Sequence, residues 1–354
     1  MFTNSSKRKD PVLMILSVLD QSPISKGDSA ETALMNSLSL AKYTEKLGYY
    51  RYWVAEHHNT NGLAGSSPEI LVGRIASVTT SIRVGSGGVL LPQYSPLKVA
   101  ENFKVLQALF PHRIDLGVGR SPGGGKKTRA ALTDGYDKPL SSFSRQVKEV
   151  QQFLLGEIPK DHPYYGVAAK PKTEYNPEMW ILGLTERGAK HAAVNGTGFT
   201  FGHFINPDNA VESITTYKDK FKPSKSLAAP KVNACVFVIC ASTDEQAEEL
   251  ALSQDKWLLQ VEKGLDTTVP SITEVKSSPF TEKEREKIKN NRKRCIIGSP
   301  EKVYAQLEEL SEAYGTDEFL LITNIFDFEA KKESYRLIAE YANKVKPTKR
   351  AGKI

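Results

Sequence analysis

Residues 82–119 read IRVGSGGVLL (82–91), then PQYSPLKVAENFKVLQALF (92–110), then PHRIDLGVG (111–119). The first run is β-branched and apolar, the second carries apolar residues at helical spacing, and the third returns to a short apolar run. Ser95-Pro96 sets a capping hydroxyl beside a proline, at a helical turn whose first N–H groups have no partner in any case. Strand, helix and strand in this order predict two parallel strands joined by a crossover helix.

The same unit recurs outward in both directions. Strands are expected at 13–19, 50–55, 82–91, 113–119, 179–183, 198–202, 232–240 and 318–323. Helices are expected at Ser29 to Leu47, Pro68 to Thr79, Pro96 to Leu109, Phe143 to Leu155, Glu186 to Val194, Pro207 to Phe221, Asp244 to Val261 and Glu329 to Lys344. One more helix, Pro300 to Tyr314, precedes the last strand. Ser67-Pro68, Ser299-Pro300 and Asn206-Pro207 repeat the capping signal. Parallel strands bury both faces, and eight repeats close most economically as a (β/α)8 TIM barrel, which leaves no sheet edge. An open doubly wound sheet is the alternative. Two connections, Ser121 to Ser142 and Gly264 to Arg294, are long enough to be lids or binding loops, the second with helix expected at 282–293. The expected organisation is a basic tail over 1–11, a single barrel domain over 12–344 and a basic tail over 345–354.

Composition narrows the function. The chain has 354 residues, 40% hydrophobic and 25% charged, and a net charge of +7. Residues 1–10 carry +2 and residues 344–354 carry +5, so the body between them is neutral and offers no clustered charge for a nucleic-acid backbone. No apolar run is long enough to span a membrane and the N-terminus lacks a signal-peptide pattern, so a cytoplasmic protein is expected. Cys235, Cys240 and Cys295 form no CxxC pair, which argues for buried thiols rather than disulfides or zinc.

A barrel gathers its strand ends at one mouth. Glu56, His57 and His58 end the second strand, Gly87 and Gly88 lie in the third, Arg120 follows the fourth, Gly183, Leu184 and Thr185 end the fifth, and His203 ends the sixth. Adjacent histidines on an extended segment point to opposite sides, so His57 and His58 do not make a metal pair, and no metal is expected. Either one serves the cavity while the other supports it, or both simply cap the strand. Arg120 suits a phosphate oxygen, and a helix starting at Glu186 presents free N–H groups to an anion. RSPGGGKKT is not a P-loop: Arg120 stands where the first glycine is required, and Lys127 where Ser or Thr is required. Gly85-Ser86-Gly87-Gly88 marks a bulge or a place where a flat ring meets bare backbone. Tyr94, His203 and Phe204 are candidate walls of a substrate pocket, or packing beneath the loops.

These residues resemble the bacterial luciferase-like flavin monooxygenase family. The likeness runs through LSVLDQSP (16–23), WVAEHHN (53–59), residues 82–103, PHRIDLGVGRSPG (111–123), WILGLTERGAKHAA (180–193) and IIGSPEKV (296–303). The resemblance implies a barrel that binds reduced FMN at its C-terminal mouth, takes O2 and oxidises a small organic substrate. It also implies a cis peptide at Gly87–Gly88 beneath the flavin, phosphate contacts from Arg120, Thr185 and Gly188, and His57 as catalytic acid/base with Glu56 and His58 beside it. The chain departs from the family at LTERG, where small Ser-rich residues are common, leaving Arg187 to replace a hydroxyl or to face solvent, and at Gly119, where the light-emitting enzyme has a thiol. With no Rossmann GxGxxG, a separate reductase is the expected source of reduced flavin. A homodimer is expected as well. The alternatives are a deazaflavin- or NAD(P)H-linked reductase and a flavin-binding protein without turnover.

Overall fold

The computed structural model describes residues 13–345, so the basic tails lie outside the described residues, except for Val345 at the end of the last helix. Nine strands form one sheet: β1 (Ile15–Asp20), β2 (Arg51–Val54), β3 (Arg83–Leu90), β4 (Ile114–Gly119), β5 (Glu178–Gly183), β6 (Gly198–Phe201), β7 (Val232–Cys240), β8 (Cys295–Gly298) and β9 (Glu318–Ile322). Strands β1 to β7 pair in chain order, and β9 joins β7 to β1, so the sheet closes with all strands parallel. The fold is a (β/α)8 barrel.

β8 was not expected, and β7 explains it. β7 is nine residues long and buried throughout. Ala234 to Phe237 pair with β9, and Phe237 to Cys240 pair with β8. β8 therefore covers the length of β7 that β9 cannot reach, while the Thr323 hydroxyl donates to Val238 O at 2.7 Å just past the end of β9.

Side-chain alternation divides the core in two. Leu19, Trp53, Trp180, Cys235, Phe237 and Leu320 point into the barrel, while Val18, Tyr52, Val54, Val236, Val238 and Leu321 pack against the helices. Trp53 and Trp180 are fully buried and meet edge to face at 5.6 Å. Removing each from water is worth roughly 4–6 kcal/mol in area terms.

Beneath them lies a floor of charge. The side chain of Arg51 is wholly buried, and its Nε donates to Glu318 at 2.6 Å while Nη1 reaches Asp115 at 2.8 Å and Glu178 at 3.1 Å. Arg83 binds the other Asp115 oxygen, and Trp53 Nε1 donates to Asp115 at 2.9 Å. Burial opposes the charge on Arg51, but Asp115, Glu318 and Glu178 outweigh it and hold its pKa above the ordinary value. Burial likewise opposes the charge on Asp115, and Arg51 with Arg83 brings that carboxyl below the ordinary range.

The helices match the expected spans to within a few residues, but not every cap does. Ser95 accepts from Lys98 N, whereas Ser67 and Ser299 make no cap bond. Asn206 falls before the helix Ala210–Lys220, so Pro207 belongs to the preceding turn. The first long connection contains a helix at Lys126–Leu132, and the second contains helices at Ile272–Ser277 and Glu282–Asn291, the latter opened by a capping box between Thr281 and Glu284. A third long connection, residues 156–177, has neither helix nor strand. No described helix is long and apolar enough to cross a membrane.

Candidate active site

The strand ends open into a cavity of about 1290 Å³ at the C-terminal face. It exceeds the ~300–1,000 Å³ of ordinary small-molecule sites, and so has room for two ligands together. Gly87, Gly88, Arg120, Gly183, Leu184, Thr185, Gly188 and Phe204 line it, as do Glu56, His57 and His58.

Two proposed wall residues do not reach it. His203 is buried between β6 and the helix Pro300–Tyr314, with Nδ1 2.7 Å from the Tyr314 hydroxyl, because the turn at Gly202 sends it outward. Tyr94 lies behind the mouth, where its hydroxyl donates to Glu56 Oε1 at 2.5 Å. It is a support for Glu56, not a wall.

The two histidines take different environments, as extended backbone requires. His58 Nε2 lies 2.7 Å from Glu56 Oε1, and Glu56 Oε2 accepts the Leu90 N–H at 2.8 Å. Burial pushes the Glu56 carboxyl above its ordinary value, and the bonds from Tyr94, His58 and Leu90 only partly offset that. His57 has no carboxylate. Its backbone N–H is fixed to Gly65 O at 2.8 Å, and its Nδ1 is buried without a partner. Burial, helped by neighbouring His58, pushes its pKa down to about 4. At neutral pH His57 is therefore an uncharged imidazole rather than a group poised to titrate near 7.

The third strand supplies a bare shelf. The Gly87–Gly88 peptide is cis. A Cβ on Gly88 would lie 2.8 Å from the backbone Gly117 O, so that position admits no side chain, and one on Gly87 would lie 2.5 Å from Leu19 Cδ1 and would have to displace that side chain. At Gly119 a Cβ would meet nothing within 4 Å and would occupy the cavity itself.

Basic side chains gather at the rim of the same cavity. Arg120, Arg187 and His191 line the cavity beside the N-terminus of the helix Glu186–Asn195. Thr185 caps that helix with no side-chain bond, so its hydroxyl is available along with the first-turn N–H groups. Gly183 and Gly188 bring strand and helix together: a Cβ on Gly188 would lie 3.1 Å from Gly183 Cα. Burial first, then Arg120 and Arg187, lowers the pKa of His191. Arg187 thus borders the cavity, and so does His191, which carries no sequence signal beyond standing four residues from Arg187 on one helix face. Among the described residues, no cluster of three His, Cys, Asp or Glu side chains is placed to hold a metal.

A barrel with a deep mouth, an anion-ready helix terminus and a buried imidazole falls in the class of (β/α)8 enzymes that work at the C-terminal face. The family model for luciferase-like monooxygenases matches residues 14–317, and the chain belongs to that family. It is accordingly an oxidoreductase of monooxygenase type.

Among relatives, it is 56% identical to the uncharacterized protein YceB of Bacillus subtilis, over 92% of this chain and 98% of that one. It is 36% identical to the N-acetyl-S-alkylcysteine monooxygenase of Bacillus subtilis, over 92% and 97%. The solved structure of apo-MsnO8 superposes with a TM-score of 0.84 at 34% identity, covering 95% of this chain and 99% of that one. The fold is shared more distantly with the oxygenating constituent of 3,6-diketocamphane monooxygenase from Pseudomonas putida in complex with FMN, with a TM-score of 0.68, 16% identity and coverage of 93% and 98%. It is shared also with an F420-dependent secondary alcohol dehydrogenase, with a TM-score of 0.68, 13% identity and coverage of 94% and 99%.

Proposed function

We propose that this chain is the oxygenase of a two-component flavin monooxygenase, taking reduced FMN from a separate reductase and using O2 to oxidise a small organic substrate. One observation carries the reading: a single cavity joins a cationic rim at a helix N-terminus, a side-chain-free glycine shelf and a buried uncharged imidazole. The residues fit the group. Arg120, Arg187, Thr185 and the N–H groups around Gly188 would hold its phosphate, Gly87 and Gly88 leave a flat surface for its ring, and Gly119 leaves open the space that a side chain would fill.

Bound reduced flavin supplies the electrons and the activation of oxygen. The protein supplies position, dryness and proton control. Leu19, Ala55, Cys235 and Phe237 make the floor of the cavity apolar, which keeps water from the reacting atoms and strengthens each polar contact there. His57 is neutral, so one ring nitrogen accepts a hydrogen bond and the other donates one without bringing a charge into the site, and any proton that it takes up is held only transiently. Glu56, locked by Leu90 N and Tyr94, orients His58, which lines the cavity beside His57.

A deazaflavin reductase shares the fold, and the rival reading is separated by oxygen. In anaerobic titrations we expect reduced FMN to bind more tightly than oxidised FMN, and we expect His57→Phe to lose at least about 100-fold in turnover while FMN affinity changes less than about threefold. Equal turnover in His57→Phe would leave flavin binding standing and remove the catalytic role.

A further inference from the structure

We propose that Arg294 receives a carboxylate, so that the substrate is an apolar molecule carrying an anionic carboxyl group. The inference deepens the reading above and rests on it, since it assigns the flavin to the pole marked by Arg120 and Gly88 and the substrate to the other.

That other pole is built by the helix Asp244–Lys263 and the chain after it. Trp257, Leu258, Val261 and Leu265 line it, facing Phe204 and Phe237. Arg294 is the charged side chain of this lobe, carried in from the turn Arg292–Arg294 that ends the second long connection. An arginine at the end of an apolar lobe is costly to leave idle, because its charge must be met inside a region of low polarity.

Its partners meet only part of that charge. Nη1 donates to Ile205 O at 3.2 Å, and Nη2 donates to Glu262 Oε1 and Asn291 Oδ1, both at 3.1 Å. These are long for charge-assisted bonds, which run nearer 2.7–2.9 Å. Glu262 also serves Lys287 at 3.3 Å and is more exposed than the arginine that it faces, 31% against 16%. Nε of Arg294 is buried with no partner, and so is Nδ2 of Asn291 beside it. Arg294 lines the cavity and Asn291 does not, so the incompletely met guanidinium of Arg294 is the group that a planar two-oxygen acceptor entering the lobe would meet.

The chemistry favours carboxylate over phosphate. A lone guanidinium presents a flat fork matched to two coplanar oxygens. The phosphate-suited geometry, with two arginines at a helix N-terminus, lies at the other pole. An apolar lobe ending in one arginine takes an aliphatic or aromatic body with a carboxyl end, and delivers the body toward His57 and the glycine shelf.

The test is isothermal titration of the full chain with n-octanoate and n-octanamide, with and without FMN. We expect octanoate to bind roughly 10- to 100-fold more tightly than octanamide. Arg294→Met should erase that difference, and Glu262→Gln, which frees the guanidinium of its resident carboxylate, should tighten octanoate further. Arg120→Met should leave the difference intact. Equal affinity for acid and amide in the unaltered protein, discrimination that survives Arg294→Met, or discrimination lost in Arg120→Met would each overturn the proposal. Should Arg294→Met fail to fold, unchanged octanoate affinity in Glu262→Gln overturns it instead. FMN titrated into the same variants separates the two readings: lost FMN binding with acid selectivity intact would discredit the flavin assignment alone.

Discussion

Arg120→Met should weaken reduced FMN and leave reduced riboflavin nearly untouched. Arg120 lines the cavity beside the N-terminus of the helix Glu186–Asn195, with no partner of its own among the hydrogen bonds and ion pairs of the described residues. A hydrogen bond to a charged group contributes about 1.5–3 kcal/mol when sheltered. Arg120 is exposed at the rim, so solvent and salt reduce that to about 1–2 kcal/mol, or roughly 5- to 30-fold in Kd. Arg187, also exposed, should behave alike, and the double variant should approach the product of the two unless the arginines share one oxygen. The assay is anaerobic titration of both flavins at low and at physiological ionic strength, with the FMN loss shrinking as salt rises. An independent reading comes from His191, whose pKa is lowered by burial and then by Arg120 and Arg187, so proton NMR should show it rise in Arg120→Met. If riboflavin loses as much as FMN, Arg120 touches the ring rather than the phosphate, and the assignment of the rim fails.

Three further outcomes follow from the geometry. His57 and His203 have native pKa values near 4 against about 6.5 when unfolded, so the fold favours their neutral forms, and the stability they contribute is complete above pH 6.5 and lost as pH falls toward 4, by about 2–3 kcal/mol each at pH 4.5. Urea unfolding at pH 7.5 and 4.5 should show His203→Gln losing less than the unaltered chain, and identical losses would contradict this. Arg51→Met leaves Asp115 and Glu318 buried without their main cation and should cost about 3–5 kcal/mol, seen as a large drop in melting temperature. A Cβ on Gly62 would lie 1.7 Å from Thr267 O, so Gly62→Ala should unseat the contact in which Asn61 Oδ1 accepts from the Thr267 hydroxyl at 2.8 Å. Limited proteolysis should then cut 264–294 faster while the barrel stays intact, and an unchanged digestion rate would refute it.

The eight barrel strands were legible because each is a buried run bounded by turns, and because crossover helices leave few ways to arrange parallel strands. β8 was not: CIIG is four residues long, follows a basic stretch, and exists as a strand only because β7 outruns β9. Within the site, the glycines on strands, Gly87, Gly88 and Gly183, line the cavity as the closed barrel requires, and Glu56, His57 and His58 reach it just past the end of β2. His203 was misplaced because it follows Gly202, where the strand has ended and alternation no longer holds. Arg294 and Trp257 carried no sequence signal at all, because they reach the cavity from a long connection and a crossover helix whose docking depends on tertiary contacts, such as the Trp257 Nε1 bond to Thr267 O at 2.8 Å. His57 was found, but its low pKa was not, since burial is a property of the folded chain alone.

We propose that this barrel passes oxygen from O2 into a substrate at the expense of bound reduced FMN. The direct measurement is to load the purified chain anaerobically with reduced FMN, add an apolar carboxylic acid series and a medium-chain aldehyde, admit 18O2, and analyse the products by mass spectrometry. The expected result is one 18O atom in the product of at least one substrate, dependent on FMN and much reduced in His57→Phe. Reduced FMN that does not bind, or substrate turnover that proceeds without O2 and leaves no 18O in the product, would contradict it.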